Sequence, residues 1–349
     1  MRRLPIYFLI DISESMVGDS IQLVEEGMGN IIKALKEDPY ALETVHLSVI
    51  VFAGQPRTLV PLQDIINFYP PKFPIGGGTS LSNALGHLMF ELRRNVVPTT
   101  AEQKGDWKPI VFLFTDGVPT DDSAAAINEW KQNWKNKANM VAVSFGLETD
   151  LHILKELTEN VFLFKNTTVG QYKEFFKWVT ASIKTSSLSV ENNSSGFELA
   201  KTNDDVMAKV DPDQIKPKPL VDTNFAVFVA KCQNMKRPYL IKYRRNQEQS
   251  NIGGLNLDTL SYRLVGAFPV DTSYFELSDN SSNNLTVNTE ELVGFPTCPC
   301  CGNQFGFAVC PCGKIHCVGN EDVSTCPWCG NQGKYGFGEG NMDINRTQG

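Results

Sequence analysis

Long hydrophobic runs are missing from this 349-residue chain. The first apolar run, residues 6–10, is cut off by Asp11, too soon for a signal-peptide core or a membrane span. Blocks of Lys or Arg are also missing, and the formal net charge is −7, which argues against nucleic acid or a membrane surface as partner. Histidine is scarce, with 4 residues, and no Ser–His–Asp set, nucleotide loop or catalytic carboxylate pair is visible, so an enzyme is not expected. Cysteine is nearly absent from the first 297 residues, where Cys232 stands alone. The other 8 of 9 fall between Cys298 and Cys329. In a chain without an export signal such a cluster favours metal over disulfides and makes the cytoplasm the expected location. The sequons at Asn166 and Asn284 then read as chance matches.

What is present is ordinary for a globular protein, 42% hydrophobic and 20% charged, and long enough for two domains. Unbroken apolar stretches at 6–10, 47–52, 110–114 and 141–145 suit strands buried on both faces of a parallel sheet. Between them run apolar stripes at helical spacing: Ile21, Val24, Met28, Ile31, Leu35; Leu81, Ala84, Leu85, Leu88, Leu92; and Tyr172, Phe175, Phe176, Val179, Ile183. The alternation predicts a doubly wound α/β domain over residues 1–185. Ser and Asn then mark a linker at 186–200. Residues 201–337 read as a small β-rich domain with strands at 225–230, 239–243, 260–268 and 274–277 and one short helix near 204–210. Exposed loops are expected at 246–254 and 278–284, and a disordered tail at 338–349.

The strongest local signal is Asp11-Ile12-Ser13-Glu14-Ser15, directly after the first strand. Two pieces accompany it: Gly76-Gly77-Gly78-Thr79, which opens a helix, and Thr115-Asp116-Gly117, which ends a strand. Asp-x-Ser-x-Ser alone is a common helix-capping pattern. All three pieces sit where an open α/β sheet gathers ligands, outside the carboxyl ends of its strands. Ser13, Ser15 and Thr79 offer neutral hydroxyls, and Asp11 and Asp116 offer charge, which suits Mg²⁺, Mn²⁺ or Ca²⁺. A cation held mainly by hydroxyls keeps much of its charge and can accept a carboxylate from a protein partner. Asp121 and Asp122, nearby, read as helix caps rather than catalytic acids. The three pieces resemble the metal-ion-dependent adhesion site of the von Willebrand factor A-type domain, and the resemblance covers about residues 4–184.

The C-terminal cysteines fall into Cys298-Pro-Cys300-Cys301-Gly, Cys310-Pro-Cys312-Gly with His316 and Cys317 following, and Cys326-Pro-Trp328-Cys329-Gly. Two Cys-x-x-Cys turns followed by Gly are the knuckles of a structural zinc site. The simplest pairing joins Cys298, Cys301, Cys326 and Cys329. Cys310, Cys312 and Cys317 then need a second ion, with Cys300 or His316 as fourth ligand. A cross-braced arrangement fits the spacing equally well. A zinc-ribbon-like segment is thus expected over 297–331, with a hairpin from 305–309 and 314–318 and one or two Zn²⁺. Cys232, His46, His87 and His152 read as ordinary structural residues.

An A-type domain followed by a β-rich, cysteine-dense C-terminus resembles the TerY-type proteins of tellurite-resistance and stress-response systems. The C-terminal half is similar to the TerY-C metal-binding domain through Phe305-Gly-Phe-Ala-Val-Cys310-Pro-Cys312-Gly. The resemblance implies a non-enzymatic scaffold working beside a protein kinase and a metal-dependent phosphatase. Thr79, on a glycine-rich loop, is then the candidate phosphorylation site among the three ligand hydroxyls. The competing expectations are a metal-dependent hydrolase or phosphatase and an extracellular adhesin.

Overall fold

The computed structural model describes residues 2–116, 118–145, 151–164, 169–191, 199–201, 207–210, 224–252, 255–279, 285–318, 323–335 and 341–347. Asn166 and Asn284 lie outside the described residues, as do 192–198 of the expected linker.

The first unit is a seven-stranded sheet. Its strands are β1 (Leu4–Asp11), β2 (Val45–Phe52), β3 (Pro56–Asp64), β4 (Ile110–Thr115), β5 (Asn139–Ser144), β6 (Val161–Phe164) and β7 (Met207–Lys209). Their spatial order is β3-β2-β1-β4-β5-β6-β7. The five inner strands pair in parallel, and β3 and β7 close the edges antiparallel. Every residue of β1 and β4 is buried, as a sheet covered on both faces requires. Alternate β1 side chains feed separate cores. Ile6, Phe8 and Ile10 face α1 (Asp19–Lys36), α2 (Pro39–Thr44) and α6 (Val169–Glu191). Tyr7 and Leu9 face α3 (Leu81–Asn95), α4 (Ala124–Asn133) and α5 (Leu151–Leu157).

The boundary falls later than the composition suggested. Helix α6 continues to Glu191, through the serines expected to begin a linker. Ser186 and Ser187 are buried, and the Ser187 hydroxyl lies 2.6 Å from that of Thr44. A Ser-rich stretch reads as a linker only while its hydroxyls face water; here one meets α2. Met207–Lys209, where a short helix was expected, is a strand of the first sheet.

The second unit has a six-stranded sheet built on β8 (Phe225–Lys231), β9 (Pro238–Ile252) and β10 (Leu255–Pro269). The hairpin β9–β10 runs through residues 246–252, expected to be an exposed loop, because the two strands stay in register as far as Ile252 and Leu255. Ile315–Cys317 lies parallel to β8, and Phe307–Val309 pairs antiparallel with it, as the expected hairpin. Residues 274–277, expected as a strand, lie in the helix α7 (Ser273–Leu277). Its Tyr274 and Leu277 are buried at the spacing of one helical turn. Of the expected tail, 338–340 and 348–349 lie outside the described residues, and the part described is held in place: Asp343–Asn345 pairs with Thr286–Asn288, Ile344 is buried, and Arg346 donates from Nη1 to the Phe225 carbonyl.

Candidate metal sites at the domain junction

The hydroxyl site forms where β1 and β4 end side by side. Asp11, Ser13, Ser15 and Thr79 are all buried, and Asp116 is half-buried. The Ser13 amide donates to Asp11 Oδ1 at 2.9 Å, and the Thr115 hydroxyl donates to Asp11 Oδ2 at 2.6 Å. Ser13 Oγ and Ser15 Oγ lie 3.0 Å apart, and Ser15 Oγ donates to Asp116 Oδ1 at 2.7 Å. Thr79 is brought in by its backbone, which exchanges two 2.9 Å bonds with Thr120. Its hydroxyl oxygen is buried and has no hydrogen-bond partner among the described residues. A buried hydroxyl without a partner costs about 1–3 kcal/mol, and a hard cation accepting its lone pair removes that cost. The three pieces predicted from sequence thus converge, and their donors fit a cation of the Mg²⁺ class.

Two further residues hold the loops. Asp121 accepts bonds from the Ser80 hydroxyl and from the Leu81 and Ser82 amides, so it caps α3 from a neighbouring loop. Glu14, the middle residue of the motif, is fully buried. It accepts from the Gly78 amide at 3.1 Å and from the Tyr274 hydroxyl at 2.6 Å. Burial pushes the Glu14 carboxyl up to about 7, against those hydrogen bonds, and pushes Asp11 up to about 6 against the bonds from Thr115 and Ser13.

Tyr274 belongs to the second unit, and it is not alone. Lys242 Nζ donates to the carbonyls of Ser15 and Val17 at 2.6 and 3.1 Å. The Gly77 amide donates to Ser278 Oγ, the Gln55 amide to the Leu277 carbonyl and the Asp279 amide to the Gly77 carbonyl, all at 2.8–2.9 Å. Ser278, expected in an exposed loop, instead docks on the glycine loop of the first unit.

The thiols gather in two groups, each with its four Sγ atoms within 4.8 Å of one another: Cys232, Cys298, Cys301, Cys317 and Cys310, Cys312, Cys326, Cys329. Sulfur pairs lie at 3.8 Å (Cys301–Cys317), 3.7 Å (Cys310–Cys329) and 3.9 Å (Cys312–Cys326). Four sulfurs about 2.3 Å from one Zn²⁺ in a tetrahedron stand about 3.8 Å apart. Both groups fit zinc. The pairing corrects the simplest expectation: Cys298 and Cys301 do not meet Cys326 and Cys329. The hairpin between the knuckles separates Cys310 and Cys312, at its turn, from Cys317, at its far end, and each end collects its own knuckle. Cys300 and His316 stand outside both groups.

Cys232, expected to be a core residue, completes the first group. The parallel register Ile315↔Ala230, His316↔Lys231 carries Cys317 alongside it. Its turn repeats the knuckle hydrogen bonds. The Cys232 amide donates to Arg237 O as Cys298 does to Asn303 O and Cys326 to Asn331 O. Lys236, at φ 58°, takes the place of Gly302 and Gly330, at 75° and 79°. Met235 stands where the second cysteine of a knuckle would be. A positive-φ lysine hides this turn from a search for Cys-x-x-Cys-Gly.

A doubly wound sheet carrying this hydroxyl-and-aspartate site defines a von Willebrand factor A-type domain, and the family model described as von Willebrand factor type A domain matches residues 6–178. The model described as TerY-C metal binding domain matches residues 222–349. The two matches lie one after the other along the chain. Among solved structures, it is similar to proximal thread matrix protein 1 from the mussel byssus with zinc occupied MIDAS motif (20% identity, 51% of this chain and 45% of that chain, TM-score 0.38). It is also similar to the ArnB paralog VWA2 from Sulfolobus acidocaldarius (11% identity, 78% and 66%, TM-score 0.37) and to BatB from Bacteroides thetaiotaomicron (12% identity, 52% and 99%, TM-score 0.36). The chain spans about half the length of the mussel structures it matches. No curated protein matches it.

Proposed function

We propose that this chain is a non-enzymatic scaffold that binds a protein partner through a Mg²⁺ or similar ion held by Ser13, Ser15 and Thr79, with Asp11 and Asp116 supplying charge. Bound there, the ion would act as a Lewis acid for a carboxylate of the partner. The observation that carries the reading is the buried hydroxyl of Thr79, without a hydrogen-bond partner among the described residues, on the loop whose Gly78 amide bonds Glu14 of the motif that holds the Ser13–Ser15–Asp116 hydrogen-bonded row. Asp11 holds the first loop through the Ser13 amide, Thr120 holds the second, and Asp121 fixes the helix that Thr79 opens. The histidines read as structural residues have other occupations: His46 lies against the Thr44 carbonyl, His87 against Thr58, and His152 against Glu156.

The second unit, held by two Cys₄ zinc sites, supports the adhesion site from below through Lys242 and Tyr274. A reducing compartment, the cytoplasm, suits eight thiols kept as ligands. No helix among the described residues is long and apolar enough to cross a membrane. In this reading a protein kinase and a metal-dependent phosphatase act on or through the scaffold, and Thr79 is the hydroxyl whose phosphate would block the partner. Thr79 is 2% exposed, so a kinase would reach it only after the loop opens.

The test is capture of partners by the tagged full chain from a native lysate, in Mg²⁺ and in EDTA, with Thr79→Ala alongside. Partners retained in Mg²⁺ and lost both in EDTA and with Thr79→Ala are expected. The same partners retained under all three conditions would contradict the reading.

A further inference from the structure

One cross-strand row of the second sheet collects positive charge. Phe225 on β8 is the register partner of Arg244 on β9, Arg244 of Arg263 on β10, and Arg263 of Val293 at the sheet edge. Register partners share a face, with Cβ atoms about 4.5–5.5 Å apart. Arg244 and Arg263 therefore stand directly opposite each other, and like charges so placed destabilise a strand pair. Arg245 follows, and the three arginines, with Asn246, Leu264 and Val265, line an open cleft of about 290 Å³. All three are exposed, and none forms an ion pair with an acid among the described residues. Phe225 flanks Arg244, whose guanidinium carbon lies 5.7 Å from the ring centroid. Lys242, next along the same face, is buried and already spent on the carbonyls of Ser15 and Val17.

Three arginines around one cleft call for an anion. The formal net charge of −7 works against extended polyanions such as nucleic acid or an acidic membrane, so the attraction here is short-range and suits a single group. Each guanidinium presents a planar fork that matches a carboxylate or a phosphoryl group. One carboxylate would leave two of the three charges uncompensated. A phosphoryl group brings about −1.5 to −2 charges and three acceptor oxygens, enough for more than one fork. The cleft also continues into apolar surface. Val293 lies in the row itself, and a Cβ added to Gly294 would stand 2.9 Å from the Leu264 Cβ. A Cβ added to Gly306 would stand 3.4 Å from the Phe295 ring. Val293, Phe295 and Phe305 are 47%, 79% and 59% exposed. A free phosphate has no use for that surface, whereas a peptide carrying the phosphate would bury it.

We infer that the cleft lined by Arg244, Arg245 and Arg263 receives a phosphoryl group borne by a residue of a partner protein, with Val293, Phe295 and Phe305 taking apolar side chains beside it. The surface shares no residue with the adhesion site and needs no cation there. It gives the second unit a binding role of its own.

The test uses the full zinc-loaded chain, immobilised, and degenerate peptide libraries with one fixed central residue. Libraries centred on phosphoserine or phosphotyrosine should be retained about tenfold better than the same libraries without phosphate. Arg244→Gln and Arg263→Gln, both at exposed positions, should each remove most of that gain and leave Mn²⁺ affinity at its wild-type value. Phe295→Ser should weaken retention of the phosphopeptides while leaving the affinity for inorganic phosphate, measured by calorimetry, unchanged. Equal retention of phosphorylated and plain libraries would overturn the proposal, as would full retention by both arginine variants. Glutamate-centred libraries held as well as the phosphorylated ones would make the ligand an acidic segment instead. Inorganic phosphate bound as tightly as the phosphopeptides would reduce the cleft to an adventitious ion only.

Discussion

The Tyr274 hydroxyl donates a 2.6 Å hydrogen bond to Glu14 Oε1, which ties the second unit to the inside of the Asp-x-Ser-x-Ser motif. Both groups are buried, and burial, together with the Glu14 carboxylate beside it, holds the Tyr274 hydroxyl well above its ordinary pKa. Tyr274 therefore keeps its proton for this bond at neutral pH.

Tyr274→Phe keeps the ring and deletes the donor. It leaves one oxygen of a buried carboxyl short of a partner, which costs about 1–3 kcal/mol. The expected result is a lower melting temperature in thermal denaturation with the zinc content intact. An unchanged melting temperature would mean that the bond contributes nothing to joining the units.

Zinc content distinguishes the observed pairing from the simplest one. Elemental analysis of the full chain should find two zinc ions per protein, one for each thiol group. Cys232→Ser should lower the count toward one, whereas Cys300→Ser should leave it unchanged. Retention of both ions in Cys232→Ser would remove that residue from the ligand set.

Protons and the cation compete for Asp11. Burial pushes this carboxyl up to about 6, so above that pH it is ionised and ready for a metal, and below it the proton must be displaced first. Mn²⁺ affinity measured by calorimetry should hold steady above neutrality and fall as the pH drops through about 6. An affinity that stays flat to about pH 5 would place the binding elsewhere.

The two metal systems touch through aromatic side chains. Trp328, inside the Cys326–Cys329 knuckle, meets Phe275 edge-on at 6.1 Å, and Phe275 adjoins Tyr274 at 5.3 Å. Zinc knuckles of this kind draw their folding free energy from the metal. Removing zinc with a strong chelator should therefore unfold the second unit, seen by circular dichroism, and weaken Mg²⁺ binding at the distant site. Undiminished Mg²⁺ affinity in the zinc-stripped chain would show that Tyr274 and Lys242 are not needed there.

The first unit was legible in the sequence because its signals are local. Runs such as 110–114 are apolar throughout, as doubly covered strands must be, and Asp11, Ser13, Ser15, Thr79 and Asp116 announce themselves by residue type and position. What stayed hidden depends on pairing over long distances. Cys232 becomes a candidate ligand only because β8 lies parallel to Ile315–Cys317, more than 80 positions along the chain. Its turn uses Lys236 where the other knuckles use glycine. Glu14 looks like a spacer within its motif until Tyr274 arrives. The helix at Ser273–Leu277 is too short for its period to separate from a strand's, and the docking of Ser278 and Asp279 has no local pattern at all. The serines of α6 misled because composition reports exposure only on average, and Ser187 is buried against Thr44.

Anomalous scattering from crystals grown with Mn²⁺, collected at the manganese and zinc edges, tests the two metal systems together. One manganese peak is expected among Ser13, Ser15 and Thr79, and two zinc peaks, one within Cys232, Cys298, Cys301 and Cys317 and one within Cys310, Cys312, Cys326 and Cys329. No manganese beside Thr79 would contradict a cation-dependent binding site, and zinc bound through Cys300 or His316 would contradict the arrangement of the second unit.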